Sequence, residues 1–131
     1  MSEATGTRAA EAGTESARSL LTARVDDTVV YDPDGRKLGS VHSFHIHRAT
    51  GQVEYAVLSF GGFLGLGQSF HPIPFSLLGV NEERGGYTIT ISKSMLDGGP
   101  SYRPDSAPVW DAPYARRISE YFGVQPRGGS F

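Results

Sequence analysis

Residues 59–78 read SFGGFLGLGQSFHPIPFSLL, an apolar strand that runs into a glycine loop and emerges beside two prolines, and the reading of this stretch decides the fold. Gly61, Gly62, Gly65 and Gly67 invite comparison with loops that cradle phosphates. Such loops end in Gly-Lys-Ser/Thr or carry G-x-G-x-x-G, and both lead into a helix. Here Gly67 is followed by Gln68, Ser69 and Phe70, after which Pro72 and Pro74 remove two backbone donors and push His71 and Ile73 toward extended conformations. No helix can start there. The stretch predicts a wide β-hairpin whose glycines supply the positive-φ positions of a bulged loop. The loop carries no acid, base, thiol or metal-ligand cluster that would announce an enzyme.

The strands on either side extend this reading. Residues 24–31 are rich in β-branched side chains and predict a first strand. Asp32, Pro33, Asp34 and Gly35 form a type I turn pattern with a glycine bulge, so residues 38–47 should return antiparallel. The apolar positions of that second strand, Val41, Phe44 and Ile46, share one period-2 phase only if an extra residue intervenes near His42 or Ser43, which predicts a bulge there. Residues 52–60 are nearly continuously apolar after Glu54 and predict a central third strand. Phe70, Ile73 and Phe75 lie on a proline-punctuated strand, confined to an edge or a strand end for lack of ladder donors. Residues 76–79 read as a turn, and residues 80–83 and 87–92 as a last hairpin with Tyr87, Ile89 and Ile91 on one face.

Outside this core lie two extensions. Residues 1–19 contain no Val, Ile, Leu or aromatic residue and predict a disordered tail. At the other end, Ser92 caps a single helical turn through Leu96, and Asp111 caps a helix over residues 112–122 that Gly123 terminates. Tyr114, Ile118, Tyr121 and Phe122 form an aromatic stripe on one face of that helix. The domain plan is thus a tail over 1–19, a β domain over 20–99 and an extension over 100–131.

Composition excludes several functions. The chain of 131 residues suits one domain with extensions, and its twelve basic and fourteen acidic residues give a net charge of −2 with no Lys/Arg run. The footprint of nucleic-acid binding is missing, so no nucleic-acid partner is expected. Zero cysteines exclude disulfides and thiolate metal sites. There is no secretory h-region and no apolar run of membrane-spanning length, so the default expectation is a soluble cytoplasmic protein without membrane insertion.

Three of the four histidines fall between His42 and His47. With the bulge in place His42, His45 and His47 all face away from the core. His45 and His47, two apart on a strand, share a face and could offer two imidazoles to Zn²⁺ or Ni²⁺, with His42 or Glu54 as a third ligand. The plainer reading is a set of exposed strand histidines with no metal. Asp32 and Asp34 already have a turn role, and Asp26 and Asp27 sit in an ordinary strand, so hydrolysis by Asp/His pairs finds little support.

The segment GRKLGSVHSFHIHRATGQVEYAVLSFGGFLGLGQSFHPIPFSLL, residues 35–78, resembles a PRC-barrel domain, and the resemblance runs from residue 20 to about residue 100. The stretches PSYRPDSAPVW and YARRISEYFGV also resemble the tail of small stand-alone bacterial members. One departure is Phe75, where the family pattern suggests Trp. The resemblance implies a small, mainly β fold, an antiparallel barrel like the cytoplasmic domain of the photosynthetic reaction centre H subunit and the C-terminal domain of the ribosome-maturation factor RimM. Those relatives bind and position protein partners, so the resemblance implies no catalytic residues, no cofactor and no small-molecule substrate. The sequence shows neither the anchor nor the preceding domain of those larger proteins, so neither specific duty is expected to transfer.

The expected function is a non-catalytic protein-interaction or assembly module; the alternative is a metal- or pH-sensing barrel using His42, His45 and His47. Phe63, Leu64 and Leu66 are apolar side chains in a glycine loop and need cover. Together with Trp110, Tyr114, Tyr121 and Phe122 they are the expected partner-binding residues, with homodimerisation the expected form of partnership.

Overall fold

The computed structural model describes residues 20–60 and 67–125. Residues 1–19 and the loop carrying Phe63, Leu64 and Leu66 lie outside them. Six strands form one curled sheet: β1 (Leu20–Tyr31), β2 (Lys37–His47), β3 (Val53–Phe60), β4 (Ser69–Pro74), β5 (Leu78–Val80) and β6 (Tyr87–Ile89), in the order β4-β3-β2-β1-β6-β5. Two helices follow, α1 (Lys93–Asp97) and α2 (Ala112–Phe122).

The β1-β2 turn closes as its residues dictate. Asp32 Oδ1 accepts from the backbone N–H of Asp34 and of Arg36, at 2.9 and 2.8 Å, and Gly35 takes a positive φ of 89°. The bulge expected in β2 is present: Val41 pairs with Leu58 and Ser43 with Val57, leaving His42 as the extra residue. That slip sets Val41 and Phe44 on one face and Ser43, His45 and His47 on the other. β4 is an edge strand, as its prolines require. Its free edge is blunted by Tyr102, which exchanges two backbone hydrogen bonds with Phe70, at 2.8 and 2.9 Å.

The last hairpin departs from expectation. Its strands are Leu78–Val80 and Tyr87–Ile89, shorter than residues 80–83 and 87–92, and a 3-10 turn occupies Phe75–Leu77. The reason is Asn81, whose backbone N–H donates to the Gly86 carbonyl at 2.9 Å while its side chain accepts from Arg84 N–H at 3.0 Å. These bonds commit residues 81–86 to a turn. Gly86, with φ 76°, passes so close to β1 that a Cβ there would overlap the Val29 carbonyl oxygen. β6 therefore lies beside β1, and that pair is parallel, the exception in an otherwise antiparallel sheet.

Two apolar clusters lie on opposite faces of the sheet. The inner one gathers Val30, Val41, Ala56, Leu58, Ile73, Leu78 and Ile89, and Leu96 of α1 closes its mouth. α1 is capped as read, with Ser92 Oγ accepting from Met95 N–H at 3.1 Å. The outer cluster joins Leu20 and Tyr55 of the sheet to Tyr114, Ala115 and Ile118 of α2, with Trp110 packed against it. β3 is apolar almost throughout because both of its faces are covered: Ala56 and Leu58 belong to the inner cluster and Tyr55 to the outer one.

Candidate functional site

The chemistry-bearing side chains concentrate where the C-terminal extension meets the outer face of the sheet. α2 begins and ends where its sequence says it should: Asp111 Oδ1 accepts from Tyr114 N–H at 3.0 Å, and Gly123 ends the helix at φ 70°. Its buried side is Tyr114, Ala115, Ile118 and Ser119. Tyr55 of β3 reaches into that side, donating to the Ala115 carbonyl at 3.3 Å and standing 2.9 Å from Ser119 Oγ. Burial pushes the hydroxyls of Tyr55 and Tyr114 up, that of Tyr114 to about 12, so both stay neutral.

Trp110, just ahead of the helix, lies on the His45 ring with centroids 3.9 Å apart and planes 21° from parallel. Its other neighbours are Tyr55 at 5.6 Å and Tyr114, edge-on, at 5.0 Å. Across the strand, His45 Nδ1 lies 3.4 Å from Thr22 Oγ1, long for a hydrogen bond. Burial first, and the neighbouring His42 second, lower the His45 pKa from 6.5 to about 4.

The histidines do face away from the inner core, as expected, but they are not exposed: His45 is 5% and His47 7% accessible. The cause is the extension, which covers the face that a β2 viewed alone would leave to water. Nor do the three converge. His42 turns to Phe70, ring centroids 4.4 Å apart, whereas His45 turns to Trp110. Among the described residues no group of three His, Cys, Asp or Glu side chains stands close enough to hold a metal ion.

Of the residues expected to bind a partner, Trp110 and Tyr114 pack on this chain's own sheet. Phe122 is half-buried and touches both clusters. Tyr121 stays 37% exposed, its hydroxyl donating to the Met95 carbonyl of α1 at 2.8 Å. Beside it an open groove of about 440 Å³ runs between Gly98, Gly99 and Pro100 on one side and Arg117 and Glu120 on the other. Phe63, Leu64 and Leu66 lie outside the described residues.

One constellation escaped the sequence reading. At the mouth of the inner core, a cavity of about 270 Å³ is lined by Leu38, Phe60, Ser69, His71, Lys93, Leu96 and Asp97. Ser69 Oγ and His71 Nε2 are 3.0 Å apart, a spacing that the two-residue periodicity of β4 could have suggested. A nucleophile-base pair needs a third group to orient the base. Asp97 is instead engaged with Lys93 at 2.8 Å on the exposed side of α1, and burial holds the His71 pKa below its ordinary value. The arrangement reads as a hydrogen-bonded pair at a cavity wall, bonded through Nε2 alone, with His71 Nδ1 buried and unpartnered.

The family model for the PRC-barrel domain matches residues 23–96, which contain all six strands but the first three residues of β1 and reach Leu96 of α1. No curated protein matches the chain. No helix among the described residues is long and apolar enough to cross a membrane.

Proposed function

The chain belongs to the PRC-barrel domain family, in general a family of non-catalytic modules, and from that premise we propose that it is a protein-interaction module that self-associates as a homodimer. The observation that carries this reading is the seam between α1 and α2, where Tyr121 is exposed on the groove and bonded to the carbonyl of Met95, itself an exposed side chain. Aromatic and methionine side chains at a surface are what interface centres are enriched in. Arg117 and Glu120 both line the groove, and their opposite charges suit self-association, since under a two-fold axis Arg117 of each copy would face Glu120 of the other.

The apolar loop side chains Phe63, Leu64 and Leu66 extend the same reading, since burial of each contributes about 1.5–3 kcal/mol against the cost of association. Light scattering at micromolar concentration tests it. The expected result is a dimer that Arg117→Glu weakens and that the double change Arg117→Glu, Glu120→Arg restores. A monomeric wild type overturns self-association. A dimer that Phe63→Ser, Leu64→Ser leaves intact removes the loop from the interface.

A further inference from the structure

We propose that the C-terminal extension is an acid-releasable cover: mild acid lifts Trp110 and α2 from the outer face of the sheet while the inner core stays folded. This does not depend on self-association.

The geometry that carries it is the position of His45 under the extension. The residue is 5% accessible and its ring is stacked on Trp110, which packs against the outer cluster of Tyr55 and Tyr114. A neutral imidazole fits this place. An imidazolium brings a charge into it, with the Thr22 hydroxyl at 3.4 Å on Nδ1. Few surrounding groups favour that charge. β1 presents Thr22 and, two residues along the same face, Arg24, whose Nε donates to the His42 carbonyl at 3.2 Å. β2 presents His42 and His47, and β3 presents Tyr55 with Glu54 beside it. The extension presents Trp110 and Tyr114, with the Arg117 guanidinium 5.8 Å from the Tyr114 ring. Two acids border this set: Glu54, which also lines a small cavity with Pro74, Ser76 and Ser119, and Asp111, whose carboxylate is engaged by Tyr114 N–H at the start of α2. The Trp110 face does attract a cation, which lessens the cost.

Undocking the extension returns His45 to water on a strand that remains paired on both sides. The ring then recovers an ordinary pKa of 6.5, against about 4 when covered. The docked form thus binds fewer protons, so docking is at full strength above pH 6.5 and weakens as pH falls toward 4. With these two values the opening constant rises about 30-fold between pH 7.5 and pH 5, and approaches about 300-fold below pH 4.

Amide hydrogen exchange of the full chain at pH 7.5 and pH 5, corrected for intrinsic rates, reads that change directly. The expected result is a loss of α2 protection of about 30-fold while β2 and β3 keep theirs. His45→Phe keeps a ring against Trp110 and cannot be protonated, so its α2 protection should be equal at both pH values. His45→Gln serves in the same role if the Phe variant fails to fold by circular dichroism. Three results overturn the proposal: equal wild-type protection at both pH values, an acid loss that persists without His45, or β2 and β3 losing protection in step with α2.

Discussion

The two faces of the sheet are built from different materials. The fully buried part of the inner cluster is aliphatic, with Val30, Val41, Leu58, Ile73, Ile89 and Leu96 each no more than 1% accessible, and half-buried Phe44, Phe60, Phe75 and Tyr87 pack around it. The outer one mixes Leu20 and Ile118 with Tyr55, Tyr114 and Trp110, and buries Ser43, His45, His47 and Ser119 around them. Aliphatic packing has no protonation state and no geometry to satisfy beyond shape. Polar-aromatic packing depends on hydrogen bonds and on charge. The inner face therefore acts as the obligate core, and the outer face as a docking surface occupied by the chain's own extension.

The largest test of that difference is removal of the cover. Deleting residues 102–131 exposes Leu20 and Tyr55 and removes Tyr114, Ala115 and Ile118, side chains that contribute about 1.5–3 kcal/mol each when large and fully buried. The expected result is a fall in melting temperature on the order of 10–20 °C with the β signature of circular dichroism retained. Deleting residues 1–19, which offer no Val, Ile, Leu or aromatic side chain, should change nothing measurable. Equal melting temperatures for the full and C-terminally truncated chains would mean that the outer cluster contributes nothing.

Next in size is a cavity in the obligate core. Leu58 of β3 is 0% accessible. Leu58→Ala should cost about 2–5 kcal/mol in chemical denaturation. Unlike the loss of the cover, it should lower the exchange protection of β2, β3 and α2 together, because the outer face cannot persist on an unfolded sheet. A protection loss confined to α2 would invert the assignment of the two faces.

How far this contrast was legible in sequence depended on whether its cause was local. The bulge at His42 was readable because three apolar side chains broke phase within six residues. The bounds of α2 were readable because Asp111 and Gly123 act on their own helix. The continuous apolar run of β3 announced that both faces are covered, but not by what. The parallel pairing of β1 with β6 depends on where the hairpin passes the sheet, which no periodicity records. The burial of His45 depends on Trp110, far along the chain, and a period-2 reading of β2 alone leaves that face to solvent. The site was thus legible as a set of residue types and illegible as a contact.

The smallest expected effect is also the most selective. Tyr55 is the one sheet side chain whose hydroxyl reaches α2, at 3.3 Å from the Ala115 carbonyl and 2.9 Å from Ser119 Oγ, among the described residues. Tyr55→Phe keeps the ring, and hence its packing against Trp110, and removes the hydroxyl alone. A neutral hydrogen bond contributes about 1 kcal/mol net, and leaving Ser119, 5% accessible, without this partner adds a share of its desolvation cost. The loss should come to about 1–2 kcal/mol. It should appear as faster exchange of α2 amides with β2 and β3 unaffected, since the bond joins cover to sheet and not strand to strand. An equal loss of protection in all three elements would show that the outer cluster folds as one unit with the inner core, and the distinction between obligate core and docked cover would fall.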